Sequence, residues 1–475
     1  MVERLAFYGV RSLAGIYGKS PVSEGGLGVS IATWSLVMTS WNFTQSVVPI
    51  FLGGIADRYG YKQAIALSTA IKISGYVCMA TFLSLPGFWV GATLLAIGTA
   101  VFKPGIQGTL VKCTNRRNSS LAWGIFYQTV NIGAFIGPIM SGYLRQFSWR
   151  GVFIACAATI CLNFLLLLTY KEPGIEERLE RQRKFDASGE KRRSLFVLTV
   201  IEIIKPHVAL FLLIYVGYYF LFYAFMDVLP VYLDDWVHTG SVLRDFFGDN
   251  GIQSPLLRRL LVTNAAGTEI QPEGLANLNA AMIMTTCFLF GYLSSRLKAL
   301  HSMLVGISLV MVGYVFLGNS GAPLVGAFAI IVFSMGEMLS SPKFGEFVGN
   351  IAPDDKKAMY LGFSQISVAL GATLQSFIGL RVYSKIASKD QFARDMLVNQ
   401  YHYTAEAIRQ IPNGDAFKKL VEVTGQSPEK LTNLLFTTHG AGRIWYMFVA
   451  VGVVTATCLY LYSVWIERRK ARKAM

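Results

Sequence analysis

Apolar residues along this chain gather in many runs of membrane-spanning length, most of them holding few charges. A hydrocarbon core about 30 Å thick needs roughly 20 apolar residues per helix. Twelve spans are predicted on this pattern: 1–18, 30–54, 62–84, 88–111, 119–145, 150–170, 207–234, 277–297, 301–319, 323–343, 357–384 and 441–466. The elements expected are therefore helices, and the fold class an all-α membrane protein.

The polar connections carry the next layer of information. Counted from a cytoplasmic N-terminus, every second one is basic: DRYGYK (57–62), KCTNRRN (112–118), the segment 171–206, RLK (296–298) and the tail ERRKARK (467–473). Basic loops stay on the cytoplasmic side, which predicts a multi-pass protein of the cell or cytoplasmic membrane with both termini in the cytoplasm. The charged segment 171–206 separates six spans from six and reads as a linker between an N-terminal bundle, 1–170, and a C-terminal one, 207–475. Two long connections, near 235–276 and 385–440, fall on the opposite, external side. The second has the spacing of short amphipathic helices at or above that surface, read as decoration in preference to a ligand-binding cap.

Two six-helix bundles joined by a basic loop are the frame of many secondary transporters, with a substrate site in a central cavity near the midplane. The chain has no GxxxxGK[ST] segment, so the energy source expected is an ion gradient.

Composition agrees. Of 475 residues, 53% are apolar and only 15% charged, too apolar for a soluble chain with an ordinary surface. The net charge of +15 gathers in short loops, a topogenic pattern and not a nucleic-acid footprint. Six cysteines form no CxxC and five lie in apolar runs, so neither disulfide nor metal chemistry is expected, and no cofactor is implied. The first run is too charged for a cleavable signal peptide.

Charges inside the spans are the candidate chemistry, since each costs about 2.5–3.5 kcal/mol on insertion scales unless partnered. The first half holds Glu3, Arg4, Arg11, Lys72 and Lys103, the second Asp227 and Glu337. One bundle is mainly cationic and the other anionic. Arg4, Tyr8 and Arg11 fall at i, i+4 and i+7, which places two guanidinium groups and a phenol on one helix face. A small zwitterion fits such a polarised cleft, its carboxylate on Arg11 and Lys103 and its amino group on Asp227 or Glu337. For any one residue, pairing that only holds the bundles together is nearly as good a reading. Tyr127, Asn131, Asn279 and Trp123 are candidate lining residues, with core packing the alternative for Trp123. Lys72 reads as a snorkelling side chain or a structural pair.

The five histidines sit in loops or at span ends, which disfavours a histidine relay and leaves proton carriage to carboxylates. Glu3 with Arg4 or Lys103, Asp227 with Arg11, and Glu337 are the candidates. Lys103 is taken as the cross-helix partner of Glu3. No oxygen cluster of the kind sodium needs is apparent.

Several motifs narrow the family. GGIADRYGYK (53–62) resembles the loop signature of the major facilitator superfamily, where Gly60 permits a tight turn. ERLAFYGVR (3–11) is similar to the first-helix motif of the proton-coupled oligopeptide transporters. FKPGIQG (102–108), FYQTVNIGAFIGP (126–138) and GEMLSSP (336–342) resemble that family's fourth-, fifth- and tenth-helix segments. Asp227 in FYAFMDV (222–228) stands where the family has an acidic residue, and LN (278–279) resembles its eighth-helix pair. Leu5, Phe7 and Gly105 depart from the family's residues.

The resemblance implies a transporter, not an enzyme, of the major facilitator fold. It implies inward symport of di- or tripeptides, or similar small zwitterions, with protons. A major facilitator carrier of another small solute, and a non-transporting membrane sensor on the same fold, are the alternatives. The first Glu of the family's first-helix motif would fall just before Met1, so the first helix is expected to be truncated.

Overall fold

In hydrocarbon, backbone N–H and C=O groups find no water, and a helix satisfies them within its own segment. The computed structural model follows that constraint. It describes residues 1–113, 119–169, 171–172, 175–176, 180, 203–351 and 357–474, with side chains except at 49–59, 104, 107–108, 111–112, 119–124, 127, 357–359, 361–362 and 470–474. Nine helical segments among the described residues are long and apolar enough to cross a membrane. The chain is an integral, multi-pass membrane protein.

The first predicted span is two helices, α1 (Val2–Arg11) and α2 (Ala14–Lys19). There follow α3 (Ile31–Tyr59), α4 (Tyr61–Thr81), α5 (Leu85–Cys113), α6 (Ser119–Arg145) and α7 (Trp149–Leu168). The seventh span is α8 (Pro206–Asp227) continued by α9 (Leu229–Trp236). Then come α10 (Leu278–Ser295), α11 (Ala299–Asn319) and α12 (Pro323–Ile351). The eleventh span, α13 (Lys357–Leu374) and α14 (Leu380–Ile386), is interrupted by a π turn at Gln375–Gly379, and α15 (Arg443–Ala474) is the twelfth.

Packing repeats between the halves. In the first, α1 packs on α6 and α7, α3 on α5, and α4 on α5 and α7; in the second, α8 packs on α13 and α15, α10 on α12, and α11 on α12 and α15. The same span-to-span scheme is therefore used twice, as expected of two six-helix bundles. The bundles meet where α3 touches α13 and α6 touches α10.

Two glycines govern how closely helices turn and approach in the first half. Gly60, between α3 and α4, has φ 116°, outside the range L side chains favour, and lets two long helices reverse within one residue. Next to it, Glu172 Oε1 accepts from Tyr61 N at 2.8 Å, a carboxylate on a helix N-terminus. At Gly137 of α6, a Cβ would lie 2.5 Å from Leu5 O and 2.9 Å from Gly9 N, so its absence allows α1 to lie directly on α6. Gly137→Ala should push the two helices apart and cost about 1–3 kcal/mol by overpacking. Thermal unfolding of the purified protein in detergent checks this; an unchanged midpoint would refute the tight contact.

The connection 385–440 contains four helices, Lys389–Asn399, Ala405–Gln410, Ala416–Thr424 and Pro428–His439. They bury Phe392, Leu397, Leu420, Leu431 and Leu435, so the segment has its own apolar seam. Arg394 ties its loops together, donating to the carbonyls of Ile408, Ile411 and Pro412, while Asp390 accepts from the N–H groups of Gly414 and Ala416.

Both long connections belong to the second half and touch the first. Gln146 of the loop after α6 donates to Thr263 O at 2.7 Å, and Arg145 donates to Gln271 at 2.6 Å and pairs with Glu273. Gly414 lies so close to Lys19 that a Cβ would stand 2.7 Å from its carbonyl oxygen. Two straps from one half thus grip the other at the same end.

Candidate transport site

Helix α1 carries the candidate face. Ala6, Gly9 and Val10 pack inward, while the Arg4 and Tyr8 side chains stay partly accessible. The groups electrostatically coupled to Tyr8 include Arg4, Glu3 and, from the opposite bundle, Glu337. Tyr223 of α8 is likewise coupled to Arg11, Asp227, Tyr8 and Arg4. Arg4, Tyr8, Tyr223 and Glu337 therefore converge between the bundles, and Lys103 on α5 lies within reach of Arg4 and Glu3.

Glu337 is half-buried on α12. Asn279 of α10 donates one N–H group to Glu337 Oε2 at 3.0 Å and another contact to Ser334 Oγ at 3.0 Å. Among the described residues no cation pairs with Glu337. A carboxylate so placed is fixed in direction by an amide and retains the capacity to accept an ammonium group or a proton.

Arg11 and Asp227 are brought together. Their ion pair joins α1 to α8 and is buried, with the Asp227 side chain fully inaccessible. The other Asp227 oxygen accepts from Ser376 Oγ at 2.7 Å and Asn42 Nδ2 at 3.2 Å; Arg11 also donates to Asn42 Oδ1 at 3.3 Å and lies 5.4 Å from the Trp41 ring centroid. Four spans meet on one carboxylate. The π turn at Gln375–Gly379 carries Ser376 into this position, a local irregularity often found at functional sites. Sequence reasoning missed both Asn42 and Ser376, whose only signal is an uncharged polar side chain in an apolar run.

Nearer the strap-bearing end, Lys19 forms ion pairs with Asp234 and Asp235, both at 2.6 Å, and Tyr383 donates to Asp235 at 2.6 Å. These groups floor a cavity of about 730 Å³ that is also lined by Arg145, Lys389 and Arg394. Two layers of ion pairs thus separate the central groups from that cavity.

Glu3 departs from expectation. Its carboxylate binds Arg4 at 2.5 and 2.8 Å and forms an ion pair with Lys72 of α4, not with Lys103. Lys72 is 1% exposed, so it is a structural partner and does not snorkel. The reason is register: α4 turns residue 72 inward onto α1, whereas Lys103 makes no ion pair with a described residue. Asn131 is buried on α6, and Asn279 is buried on α10. The side chains of Trp123, Tyr127, Asp57 and Arg58 lie outside the described residues, as does most of the 171–206 linker.

The Major Facilitator Superfamily profile matches residues 5–376 of this chain. The chain belongs to the major facilitator superfamily. That family and fold are those of membrane transporters and not of enzymes. Among relatives, the multidrug resistance protein MdtH of Klebsiella pneumoniae is 24% identical over 340 residues, covering 70% of this chain and 72% of that protein. The peptide transporter YePEPT of Yersinia enterocolitica is 26% identical over 198 residues, 40% of this chain and 38% of its own. Solved structures share the fold. A POT family transporter in complex with a thioalcohol-conjugated peptide superposes with a TM-score of 0.67 at 15% identity, over 98% of this chain and 94% of that one. Another, in complex with 5-aminolevulinic acid, gives 0.57 at 16% identity, over 92% and 94%.

Proposed function

We propose that this major facilitator protein carries di- or tripeptides, or zwitterions of similar size, inward together with protons. The observation that carries the reading is the charge separation across the central groups: Arg4 and Lys103 on one bundle, Glu337 with its Asn279 donor on the other. A substrate carboxylate meets the cations and its amino group meets Glu337. Tyr8, Tyr127 and Asn131 line the space between. Glu337 is the carboxylate placed to exchange a proton, since no described cation holds it. The Arg11–Asp227 pair closes the mouth at the strap-bearing end. The fold neighbours that hold a conjugated peptide and 5-aminolevulinic acid support this substrate class.

In this reading residues 1–170 and 207–475 are the two moving halves and 171–206 the hinge segment. The basic connections put both termini in the cytoplasm and the 235–276 and 385–440 segments outside the cell. Lipid surrounds the apolar flanks.

Proteoliposomes with an inward proton gradient test the proposal. Labelled dialanine should accumulate above its equilibrium level and lose that accumulation when a protonophore is added. The MdtH relatives favour a second reading, a carrier of another small solute. Gradient-driven movement of a lipophilic drug with no movement of dialanine would establish that reading and overturn the first.

A further inference from the structure

We propose that Lys72 is a positioning residue that holds Glu3 as a permanent counter-ion, removing Glu3 from proton carriage and leaving Lys103 unclaimed for substrate. The inference rests on the peptide-symport reading for its transport assay but on geometry alone for its core.

The site is built for this pairing. Lys72 enters from α4, and its stem crosses α5 at Gly98, where a Cβ would lie 2.5 Å from Lys72 Cγ. Any larger residue at 98 would displace the lysine. The ammonium sits 4.7 Å from the Phe102 ring centroid, which adds a cation–π contact on the side away from Glu3. Arg4 takes the opposite side of the carboxylate, binding both of its oxygens, and its guanidinium lies 4.9 Å from the Phe7 ring centroid. One carboxylate is therefore clamped between two cations, with Lys72 and Glu3 almost wholly buried.

The other charged or titratable groups around Glu3 are few. They are the Met1 amino group and Tyr8 on its own helix, Tyr76 on α4, Lys103 on α5 and Cys156 on α7, which bears on Tyr76. None of them adds a negative charge. The cluster of Glu3, Arg4, Lys72 and Lys103 thus carries an excess of two positive charges, and a substrate carboxylate is the anion it lacks. Without Lys72, Glu3 would be free to turn towards Lys103 and act as an internal competitor for that cation. A buried ion pair is often no gain in stability, but loss of one partner strands the other.

Two variants, K72Q and E3Q/K72Q, decide the matter in proteoliposomes with labelled dialanine. K72Q should raise KM about tenfold with little change in kcat, the effect of one charge-assisted hydrogen bond. E3Q/K72Q should bring KM back towards wild type and keep the wild-type pH profile of uptake. An unchanged KM in K72Q, a double variant as poor as K72Q, or a flattened pH profile in the double variant would each overturn the proposal. If K72Q does not fold, the pH profile of E3Q/K72Q alone decides: retained, it supports a fixed Glu3; flattened, it makes Glu3 the proton carrier. Should wild type move no peptide at all, the function reading fails by itself. Thermal unfolding then tests the pair: a lowered midpoint in K72Q that E3Q/K72Q restores supports it, and equal losses in both overturn it.

Discussion

Asp227→Asn should swing the outer mouth open. In the structure Asp227 neutralises a buried Arg11 and gathers Asn42 and Ser376 around one carboxylate. Asparagine preserves the shape and removes the charge, so Arg11 stays buried without its counter-ion. Breaking one side of a buried pair costs about 3–5 kcal/mol. That cost falls on the closed state alone, because opening returns Arg11 to water. The open-to-closed ratio should then rise by roughly two to four orders of magnitude. Nitroxide labels at Ser30 and Gln391, both exposed beside the strap-end cavity and one in each half, measure the change as pulsed-resonance distances. A shift to longer distances in the variant is expected; identical distributions would mean that the pair does not hold the mouth. Gradient-driven uptake should fall in parallel, since a carrier trapped on one side cannot complete a cycle.

Glu337→Gln should erase discrimination between a free and a blocked amino terminus. In wild type, acetylating the amino group of dialanine removes a charge-assisted hydrogen bond worth about 1.5–3 kcal/mol, so affinity should drop roughly 10- to 100-fold. In Glu337→Gln the two peptides should compete with labelled dialanine within a few-fold of each other, because the acceptor no longer carries charge. Equal losses on acetylation in both proteins would remove Glu337 from amino recognition and reassign that role to another group.

How much of the fold and the site is legible in the sequence depends on the kind of signal. Span positions are readable because hydrocarbon demands long apolar runs, and the two breaks at Ser12 and Val228 shift none of them by more than a few residues. Arg11 and Asp227 are readable as partners because each is an isolated charge in a run that cannot tolerate one alone. Glu337 and Asn279 are readable through motif resemblance. The partner of Glu3 is not. Spacing along one helix says which residues share its face, but not which neighbouring helix that face meets, and both Lys72 and Lys103 satisfy the requirement for a nearby cation. Packing selects Lys72 because Gly98 leaves room for its stem. Asn42 and Ser376 are invisible for a different reason. An uncharged polar side chain is cheap enough in a membrane helix to occur for packing alone, and no sequence pattern announces a π turn.

The straps have a kinetic meaning that no affinity measurement would expose. Arg145 with Gln271 and Glu273, Gln146 with Thr263, Lys19 with Asp234 and Asp235, and Gly414 against Lys19 all join the same two bodies at one rim. Rigid halves cannot release such contacts one cycle at a time; they part in one step, and their energies add within a single exponent. Each further 1.4 kcal/mol held in the rim lengthens the dwell time of the closed state about tenfold. Residues that never meet a substrate therefore set the tempo of the carrier, and substitutions there can retune turnover while leaving the chemistry of recognition untouched.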